Sequence, residues 1–196
     1  MAQTSTTLIS SKAHIASITG TDISLSATSG VYTISATSTV LTGAGKLAVG
    51  DLITVSGSTS NNSTFTVSTV VSTTELTVAE VVTSENADGS STITLDHVGF
   101  VSDKAKGDGY YSQPDGVHTV AYQVANDFNA NATIKMQGTL ATTPTEDDWF
   151  DIANTTFTAD TSTVTSSYNF TGNYVWVRSK TQLLTAGTTN SILLNS

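Results

Sequence analysis

Gly109-Tyr110-Tyr111 begins the stretch that decides the fold, which continues through Asp115-Gly116-Val117-His118-Thr119-Val120 and ends at Val124. Near the end of the chain, Tyr174-Val175-Trp176-Val177-Arg178 has the same character. Both runs are rich in β-branched and aromatic residues and are entered through Gly, Asn or Asp turns, a pattern typical of strands. We predict that they lie in one sheet, and that the C-terminal half, which holds most of the aromatic residues, has the better core.

The composition predicts an all-β protein. A chain of 196 residues is long enough for one all-β domain or two small ones, with a core that needs no disulfide or metal. Ser and Thr are abundant, while Lys, Arg, Glu and Leu are scarce, so we expect almost no helix. The absence of cysteine excludes disulfides, thiol catalysis and zinc sites with cysteine ligands.

The charge and the lack of long apolar runs exclude two classes of partner. The formal net charge is −9 and Arg178 is the only arginine, whereas nucleic-acid binding needs a cationic surface that displaces counterions from phosphates. No apolar run is long enough for a transmembrane helix. We therefore expect neither a nucleic acid nor a membrane as partner. Residues 1–7 lack the basic and apolar regions of a secretory signal, which predicts synthesis in a cytoplasm without an export signal.

Residues 1–30 are predicted to form an N-terminal arm or short edge strands. Their apolar residues stand singly among Ser and Thr, so the pattern is too thin to specify a core alone. We expect this segment to pair with the next domain or with a neighbouring subunit.

Residues 31–98 are predicted to form a small antiparallel barrel or meander. Apolar and polar residues alternate in several runs, so each strand has one apolar and one solvated face, and turn-forming residues separate the runs. The alternating pairs are Ile53 and Val55, Phe65 and Val67, and Leu76 and Val78. The predicted strands are 31–36, 52–56, 65–72, 76–82 and 92–95.

Residues 99–109 are the predicted linker, and residues 110–196 are predicted to form a β-sandwich. Its predicted strands are 117–124, 132–140, 149–152, 162–170, 173–180 and 191–194. Within the last long strand Val175 and Val177 point one way, whereas Tyr174, Trp176 and Arg178 point the other. If the valines fill the core, the second set leaves an aromatic and guanidinium stripe near the surface, where it can stack or bind a partner.

Several distinctive segments follow one another between residues 107 and 196. They are Gly107-Asp108-Gly109-Tyr110-Tyr111, Asp115-Gly116-Val117-His118-Thr119-Val120, Gln137-Gly138-Thr139-Leu140-Ala141, Pro144-Thr145-Glu146-Asp147-Asp148-Trp149-Phe150-Asp151-Ile152, Asn169-Phe170-Thr171-Gly172-Asn173-Tyr174-Val175-Trp176-Val177-Arg178, and Thr185-Ala186-Gly187-Thr188 with Ile192-Leu193-Leu194. As an ordered set they resemble a domain of virion structural proteins from T4-like marine phages, especially cyanophages. The first half is similar to a more generic phage module through Val49-Gly50-Asp51-Leu52-Ile53-Thr54-Val55-Ser56-Gly57-Ser58 and Asn62-Ser63-Thr64-Phe65-Thr66-Val67.

The resemblance implies a part of a phage particle, located on the virion, and it brings no catalytic residues. The expected partners are other virion proteins, either capsid or tail subunits, and further copies of the chain in a homo-oligomer. A cyclic trimer is one arrangement common in such assemblies. The expected role is that of a head decoration protein that stabilises or covers the shell through subunit contacts. The alternatives are a neck, baseplate or tail-fibre accessory protein, and a carbohydrate-binding adhesin module on the particle surface.

An acidic cluster surrounds Trp149-Phe150 and consists of Glu146, Asp147, Asp148 and Asp151. Paired carboxylates beside an aromatic ring suggest a glycosidase that uses Asp148 and Asp151, or a calcium site. However, Asp147 and Asp148 are adjacent, so in a strand they would point to opposite faces. The favoured interpretation is a solvated turn that leads into a buried Trp149.

We predict no enzymatic activity, no cofactor and no metal. His14, His97 and His118 lie far apart and lack metal-ligand spacing, and the sequence has no nucleophile elbow, P-loop or dinucleotide fingerprint. His118 alternates with its neighbours inside a predicted strand, which indicates a structural or surface histidine.

The candidate contacts with a partner or a glycan are Tyr110, Tyr111, Tyr174, Trp176 and Arg178. An aromatic ring laid flat on a pyranose is a common device of lectins, and aromatic residues often anchor protein interfaces. For Trp149 the core is the favoured place. For Trp176 both the core and the surface remain open.

Overall fold

The computed structural model describes residues 5–111, 116–159 and 164–195. The fold is all-β, with 52% of residues in strands and 4% helical, which confirms the predicted class. The helical residues form two short 3₁₀ helices, Asp108–Tyr111 and Glu146–Asp148. Within the described ranges, no helix has the length and apolar character needed to cross a bilayer.

The chain divides into two compact units. We call Ile15–Phe100 the inserted unit, and we call the described residues of Met1–His14 and Val101–Ser196 the split unit, because the inserted unit interrupts it in sequence. The predicted segments 1–30, 31–98, 99–109 and 110–196 differ from this division. Local strand and turn signals do not show that two distant parts of a chain join one unit.

The inserted unit is a single antiparallel sheet. Its strands, numbered in chain order, are β3 (Ile18–Gly20), β4 (Ile23–Thr28), β5 (Val31–Ala36), β6 (Asp51–Ser56), β7 (Thr64–Ser72), β8 (Glu75–Val78) and β9 (Ile93–Val101). The spatial order is β3-β9-β6-β7-β8-β5-β4, and the described residues contain no closed barrel. β8 ends at Val78, before the predicted residue 82, and Glu80 turns back to accept hydrogen bonds from the backbone N and Oγ1 of Thr66.

One apolar core fills the inserted unit. The predicted alternation on β6, β7 and β8 is confirmed, since its inward residues Ile53, Val55, Phe65, Val67, Leu76 and Val78 are all buried. Ile15, Ile18, Ile23 and Leu25 belong to the same core. Residues of the predicted arm therefore pack inside the molecule, because single apolar residues suffice where each one faces a sheet already formed by others.

The split unit contains two antiparallel sheets. The first comprises β1 (Ser5–Ile9), β2 (Lys12–Ala13), β11 (Val117–Val124), β15 (Thr165–Thr171) and β17 (Thr188–Asn195), in the order β1-β17-β11-β15, with β2 also paired to β17. The second comprises β10 (Ala105–Lys106), β12 (Thr133–Thr139), β13 (Phe150–Asp151), β14 (Phe157–Thr158) and β16 (Trp176–Gln182). Here β12 pairs with β13, β14 and β16, and β16 pairs with β10.

Tyr122 links the two sheets of the split unit. It is fully buried on β11, and its ring lies 6.0 Å from the Phe157 ring of the second sheet, measured between centroids. Its hydroxyl donates a hydrogen bond to the carbonyl oxygen of Thr155 at 2.9 Å. Burial raises the pKa of the Tyr122 phenol well above its ordinary value, so the group is a neutral donor.

Two predictions about strand neighbours need correction. β11 and β16 lie in different sheets, because strand composition indicates a pleated, half-buried segment but not which neighbour it pairs with. Residues 5–9 are not a free arm either. As β1 they pair with β17, for example Ser5 with Asn195 and Thr7 with Leu193, so this edge of β1 is already used within the chain.

Candidate binding face

β16 presents two different rows of side chains. Val177, Ser179 and Thr181 are buried, whereas Trp176 and Lys180 alternate with them and are partly exposed. This alternation follows from the two-residue period of a strand. It confirms that Val177 fills the core while Trp176 points the other way.

Basic residues gather beside the outer row of β16. Lys106 of β10 pairs with Trp176, and Lys135 of β12 pairs with Lys180. The Nζ atom of Lys104 lies 4.5 Å from the Trp176 ring centroid. Five of the seven basic residues of the chain are thus on this side: Lys104, Lys106, Lys135, Arg178 and Lys180. We call the surface formed by Lys104, Lys106, Lys180, Tyr110, Tyr111 and Trp176 the cationic–aromatic face.

Arg178 lies beneath this surface and is only 5% exposed. Its Nη1 and Nη2 atoms donate to the two carboxylate oxygens of Glu146 at 2.8 and 2.7 Å, and its Nε donates to Gln137 Oε1 at 3.0 Å. The Trp149 ring centroid is 4.2 Å from the guanidinium carbon. Arg178 is therefore not exposed as the predicted stripe required, because the turn that carries Glu146 and Trp149 folds over it.

The two lysines that face each other across β12 and β16, Lys135 and Lys180, have different surroundings. Lys135 Nζ lies 2.5 Å from Asp151 Oδ2, and Gln137 Nε2 donates to Asp151 Oδ1 at 2.9 Å. Burial lowers the pKa of Lys180, the neighbouring charges of Arg178 and Lys135 lower it further, and the carboxylates of Asp151 and Glu146 partly oppose this shift. Lys180 thus lies among two further cations and the two carboxylates that pair with them.

The aromatic part of the face is a cluster of three rings. The Tyr110 ring lies 4.8 Å from Trp176 and 5.1 Å from Tyr111, measured between centroids. Lys106 Nζ is 4.2 Å from the Tyr110 centroid and 5.4 Å from that of Tyr111. Tyr110 and Tyr111 are 43% and 56% exposed. The Trp176 indole N–H donates to the Thr142 carbonyl at 3.0 Å, which fixes the ring orientation.

Tyr174 has a structural role, unlike the other two candidate tyrosines. Its ring packs against Gly138 and Gly172, where an added Cβ would come within 2.6 and 2.4 Å of ring atoms. Its hydroxyl donates to the Thr171 carbonyl at 3.3 Å. The structure therefore brings Tyr110, Tyr111 and Trp176 together, and it places Tyr174 and Arg178 in packed environments.

The acidic residues near Trp149 disperse to separate partners. Glu146 binds Arg178, Asp151 binds Lys135, and Asp148 accepts hydrogen bonds from the backbone N and the hydroxyl of Thr145 at 2.7 and 2.8 Å. Among the described residues, no group of three or more potential metal ligands converges. Trp149 is half-buried, not fully buried as predicted, since one side packs on Arg178 at the surface of the sheet.

The two inner histidines serve the cores. His97 is buried, accepts a hydrogen bond at Nδ1 from the Ile15 backbone N at 3.2 Å, and places Nε2 3.4 Å from Asp51. His118 is buried, stacks on Phe170 with centroids 4.9 Å apart, and has Nε2 3.4 Å from Asp108. Both positions favour a structural role.

The sequence predictions miss the lysines of the face. The sequence does indicate that Lys104 and Lys106 lie on one face, because they are two residues apart and such residues share a face in an extended chain. Lys135 and Lys180 come close only through the register of β12 and β16, which the sequence does not reveal.

No protein-family model matches the chain, and no curated protein matches it.

Proposed function

We propose that the protein is a non-enzymatic structural component of a tailed-phage virion, and that it acts as a decoration protein that covers or stabilises the head shell. The ordered segments between Gly107 and Leu194 support this role through their resemblance to virion proteins of T4-like marine phages. They contribute residues to β11, β12, β13, β15, β16 and β17 of the split unit. The resemblance therefore covers one structural unit and not isolated surface loops.

The observation that carries the proposal is the outer edge of β15, which pairs with no further strand among the described residues. This strand is last in its sheet and pairs with β11 over seven positions, from Val117↔Thr171 to Gln123↔Thr165. Its sequence, Thr165-Ser166-Ser167-Tyr168-Asn169-Phe170-Thr171, contains no charge and no proline. Monomeric proteins usually protect such edges with charges, prolines or bulges. An unprotected edge of this length suits a protein that pairs with neighbouring subunits.

Exposed apolar side chains support the same mechanism. In the split unit the more exposed ones include Val117, Leu140, Phe150, Leu183 and Leu193. The inserted unit adds Val70 and Val71 at the end of β7 and Val31 at the start of β5. Burial of such groups against a neighbour contributes about 25 cal/mol per Å². Contacts with a shell or with further copies of the chain, for instance in a cyclic trimer, would therefore be favourable.

The strand addition that we propose uses the β15 edge and not the N-terminal residues. Because β1 is already paired with β17, residues 5–9 cannot serve as donor to another subunit without leaving their own sheet. The acceptor edge in this scheme is β15, and the donor is an extended segment of a neighbouring virion protein.

Immunogold electron microscopy tests the proposed location. Antibodies against the purified chain are expected to label the heads of purified particles of the phage that encodes it. Label confined to the neck, baseplate or fibres would overturn the head assignment and favour the accessory role. Complete absence of the chain from purified particles would overturn the virion proposal.

Charge substitutions at the β15 edge test the mechanism. Ser167→Lys together with Thr165→Lys places charges beside an edge whose residues are exposed, and is expected to reduce incorporation into particles severalfold without unfolding the chain. Thr73→Lys, in an exposed turn of the inserted unit, is the matched control. Equal incorporation of both variants would show that β15 is not the attachment edge.

A carbohydrate-binding role on the particle surface is the second candidate. The exposed Tyr110 and Tyr111 rings beside Trp176 favour it, because amphipathic rings are suited to stacking on sugars.

A further inference from the structure

The basic residues of this chain are concentrated to an unusual degree. The whole chain carries 16 acidic and seven basic residues, yet five of those seven lie on or just beneath one side of β16. Only Lys12 and Lys46 lie elsewhere. A chain that needed lysine only for solubility would have no reason to cluster it against the sign of its net charge.

Charge pairing divides the five cations into two groups. Arg178 and Lys135 form ion pairs with Glu146 and Asp151. For Lys104, Lys106 and Lys180, the described residues show no carboxylate within 4.0 Å, and the first two lie over aromatic rings instead. These three lysines therefore keep positive charge available for an external anion.

The geometry of the available charges is extended. Lys106 pairs with Trp176 across β10 and β16, and Lys180 lies four residues further along β16. At 3.3 Å per residue, the two ends of the face are about 13 Å apart. A single small anion could not reach both ends, whereas a linear polymer could.

The rings define what kind of polymer fits. Tyr111 is the most exposed ring of the cluster, and it lies next to Tyr110 and Lys106. A ligand that places a flat, partly apolar ring against Tyr111 and an anionic group near Lys106 would use both features. Acidic sugars carry both groups on one residue.

We propose that the cationic–aromatic face binds an acidic polysaccharide, whose carboxylates contact Lys104, Lys106 and Lys180 and whose sugar rings pack against Tyr110 and Tyr111. This inference rests on the second candidate function and specifies its ligand class. It implies that a particle carrying the chain adheres to uronate-bearing surface polymers.

Charge density favours a polysaccharide over a nucleic acid. A nucleic-acid strand in a duplex carries one negative charge per about 3.4 Å, so roughly four would lie across the face. Several would then approach Glu146, which pairs with Arg178, and Asp151, which lies in register with Gln137 and Arg178, between the ends of the face. In an acidic polysaccharide a whole sugar ring lies between successive carboxylates, so the negative charges are spaced more widely and the separated lysines can each meet one.

Binding of a defined oligomer tests the proposal. We expect the full chain to bind a uronic-acid decamer in isothermal titration calorimetry, and to bind a glucose decamer at least about tenfold more weakly. The combined change Lys104→Gln, Lys106→Gln and Lys180→Gln is expected to weaken uronate binding by roughly tenfold or more, since three charge contacts are lost. Raising the salt to about 1 M, where the Debye length is near 3 Å, should have a similar effect.

Matched variants separate the face from general effects. Lys46→Gln removes an exposed charge of the inserted unit and is expected to leave binding unchanged. Tyr111→Leu keeps an apolar side chain but removes the ring, and should weaken binding of the uronate oligomer. Thermal unfolding of each variant confirms that the chain still folds.

Several results would overturn the proposal. They are equal binding of the uronate and glucose oligomers, unchanged binding in the triple lysine variant, or tighter binding of a 20-nucleotide thymidine strand at equal ionic strength. Self-association that the same lysine changes abolish, in the absence of uronate binding, would instead assign the face to a second copy of the chain. Incorporation into particles is measured separately, so an absence of uronate binding would not contradict the proposed role in the virion.

Discussion

Arg178 brings a permanent charge into an almost buried position, and three partners satisfy it. Glu146 accepts two hydrogen bonds, Gln137 accepts one, and Trp149 covers the guanidinium plane. The bidentate geometry matches the fork of an arginine and would not suit lysine. This set holds the turn at Glu146–Asp148 against β16.

Removal of the Glu146 carboxylate should therefore lower the stability of the protein. Glu146→Gln leaves the guanidinium without its counter-charge, and we expect the free energy of unfolding to fall by about 2 kcal/mol. Urea denaturation at neutral pH measures this change. Asp147→Asn, in the same turn but exposed, is the control and should change stability by less than about 0.5 kcal/mol. Equal effects of the two substitutions would mean that the ion pair adds no stability.

Tyr174 occupies space that two glycines leave open. A Cβ on Gly138 would lie 2.6 Å from the Tyr174 ring, so Gly138→Ala is expected to destabilise the protein by about 1–3 kcal/mol through overpacking. In a Tyr174→Ala background the same change should cost much less, because the clash has gone. A double-mutant cycle by urea denaturation measures the coupling, and additive effects would contradict this account.

At the scale of the element, Glu85 connects the loop after β8 to β4, an edge strand of the inserted unit. Its backbone exchanges two hydrogen bonds with Leu25 of β4, at 2.9 and 2.8 Å. Its carboxylate accepts hydrogen bonds from the Ser58 hydroxyl at 2.6 Å and the Thr59 backbone N at 2.9 Å. These bonds, that from Ser58 above all, hold the pKa of Glu85 below its ordinary value of 4.5.

A specific dependence of stability on pH follows from this shift. Because the pKa of Glu85 is lower in the folded than in the unfolded chain, its contribution to stability is present above pH 4.5 and is lost as the pH falls through the folded value. Glu85→Gln should be less stable at neutral pH and should lose less further stability below pH 4.5. Urea denaturation across this range measures both. Ser58→Ala is expected to show part of the same change. If both variants lost as much stability below pH 4.5 as the unaltered protein does, the proposed role of Glu85 would be wrong.

The first strands of the chain belong to both units, so they are not dispensable. Deletion of residues 1–25 removes Ile15, Ile18, Ile23 and Leu25 from the core of the inserted unit. Each buried aliphatic side chain contributes about 1.5–3 kcal/mol, and the total rivals the whole stability of a domain. We expect the inserted unit to unfold, with loss of its cooperative transition in circular dichroism. Deletion of residues 1–9 removes β1 but none of these four, and should leave that transition in place.

The positions of the strands in the sequence were more predictable than the pairing between strands. β5 and β11 match the predicted residues 31–36 and 117–124, because β-branched residues alternate there between clear turns. The pairing of β10 with β16 was not predictable, since β10 has two residues and little strand signal. Of the candidate site, the cluster of Tyr110, Tyr111 and Trp176 came from the sequence, whereas the burial of Arg178 depends on a turn 32 residues away.

At the scale of the whole molecule, acidic groups dominate the titration. The formal charge is −9 at pH 7 and the isoelectric point is about 4.4. Mutual repulsion of the chains falls as the pH approaches this value, so we expect a minimum of solubility near pH 4.4. Static light scattering of the purified chain between about pH 3 and pH 7 measures it. A minimum well above this value would indicate that fewer carboxylates titrate freely than the sequence contains.

The pairing of β1 with β17 has a consequence for biosynthesis. β1 leaves the ribosome early, but its partner β17 begins only at Thr188. At about 5–20 residues per second, translation of the intervening chain takes on the order of 10–40 s. During this interval the inserted unit can fold on the nascent chain while β1 waits with an unpaired backbone, so a ribosome that stalls before Thr188 would expose a ready target for chaperones and proteases.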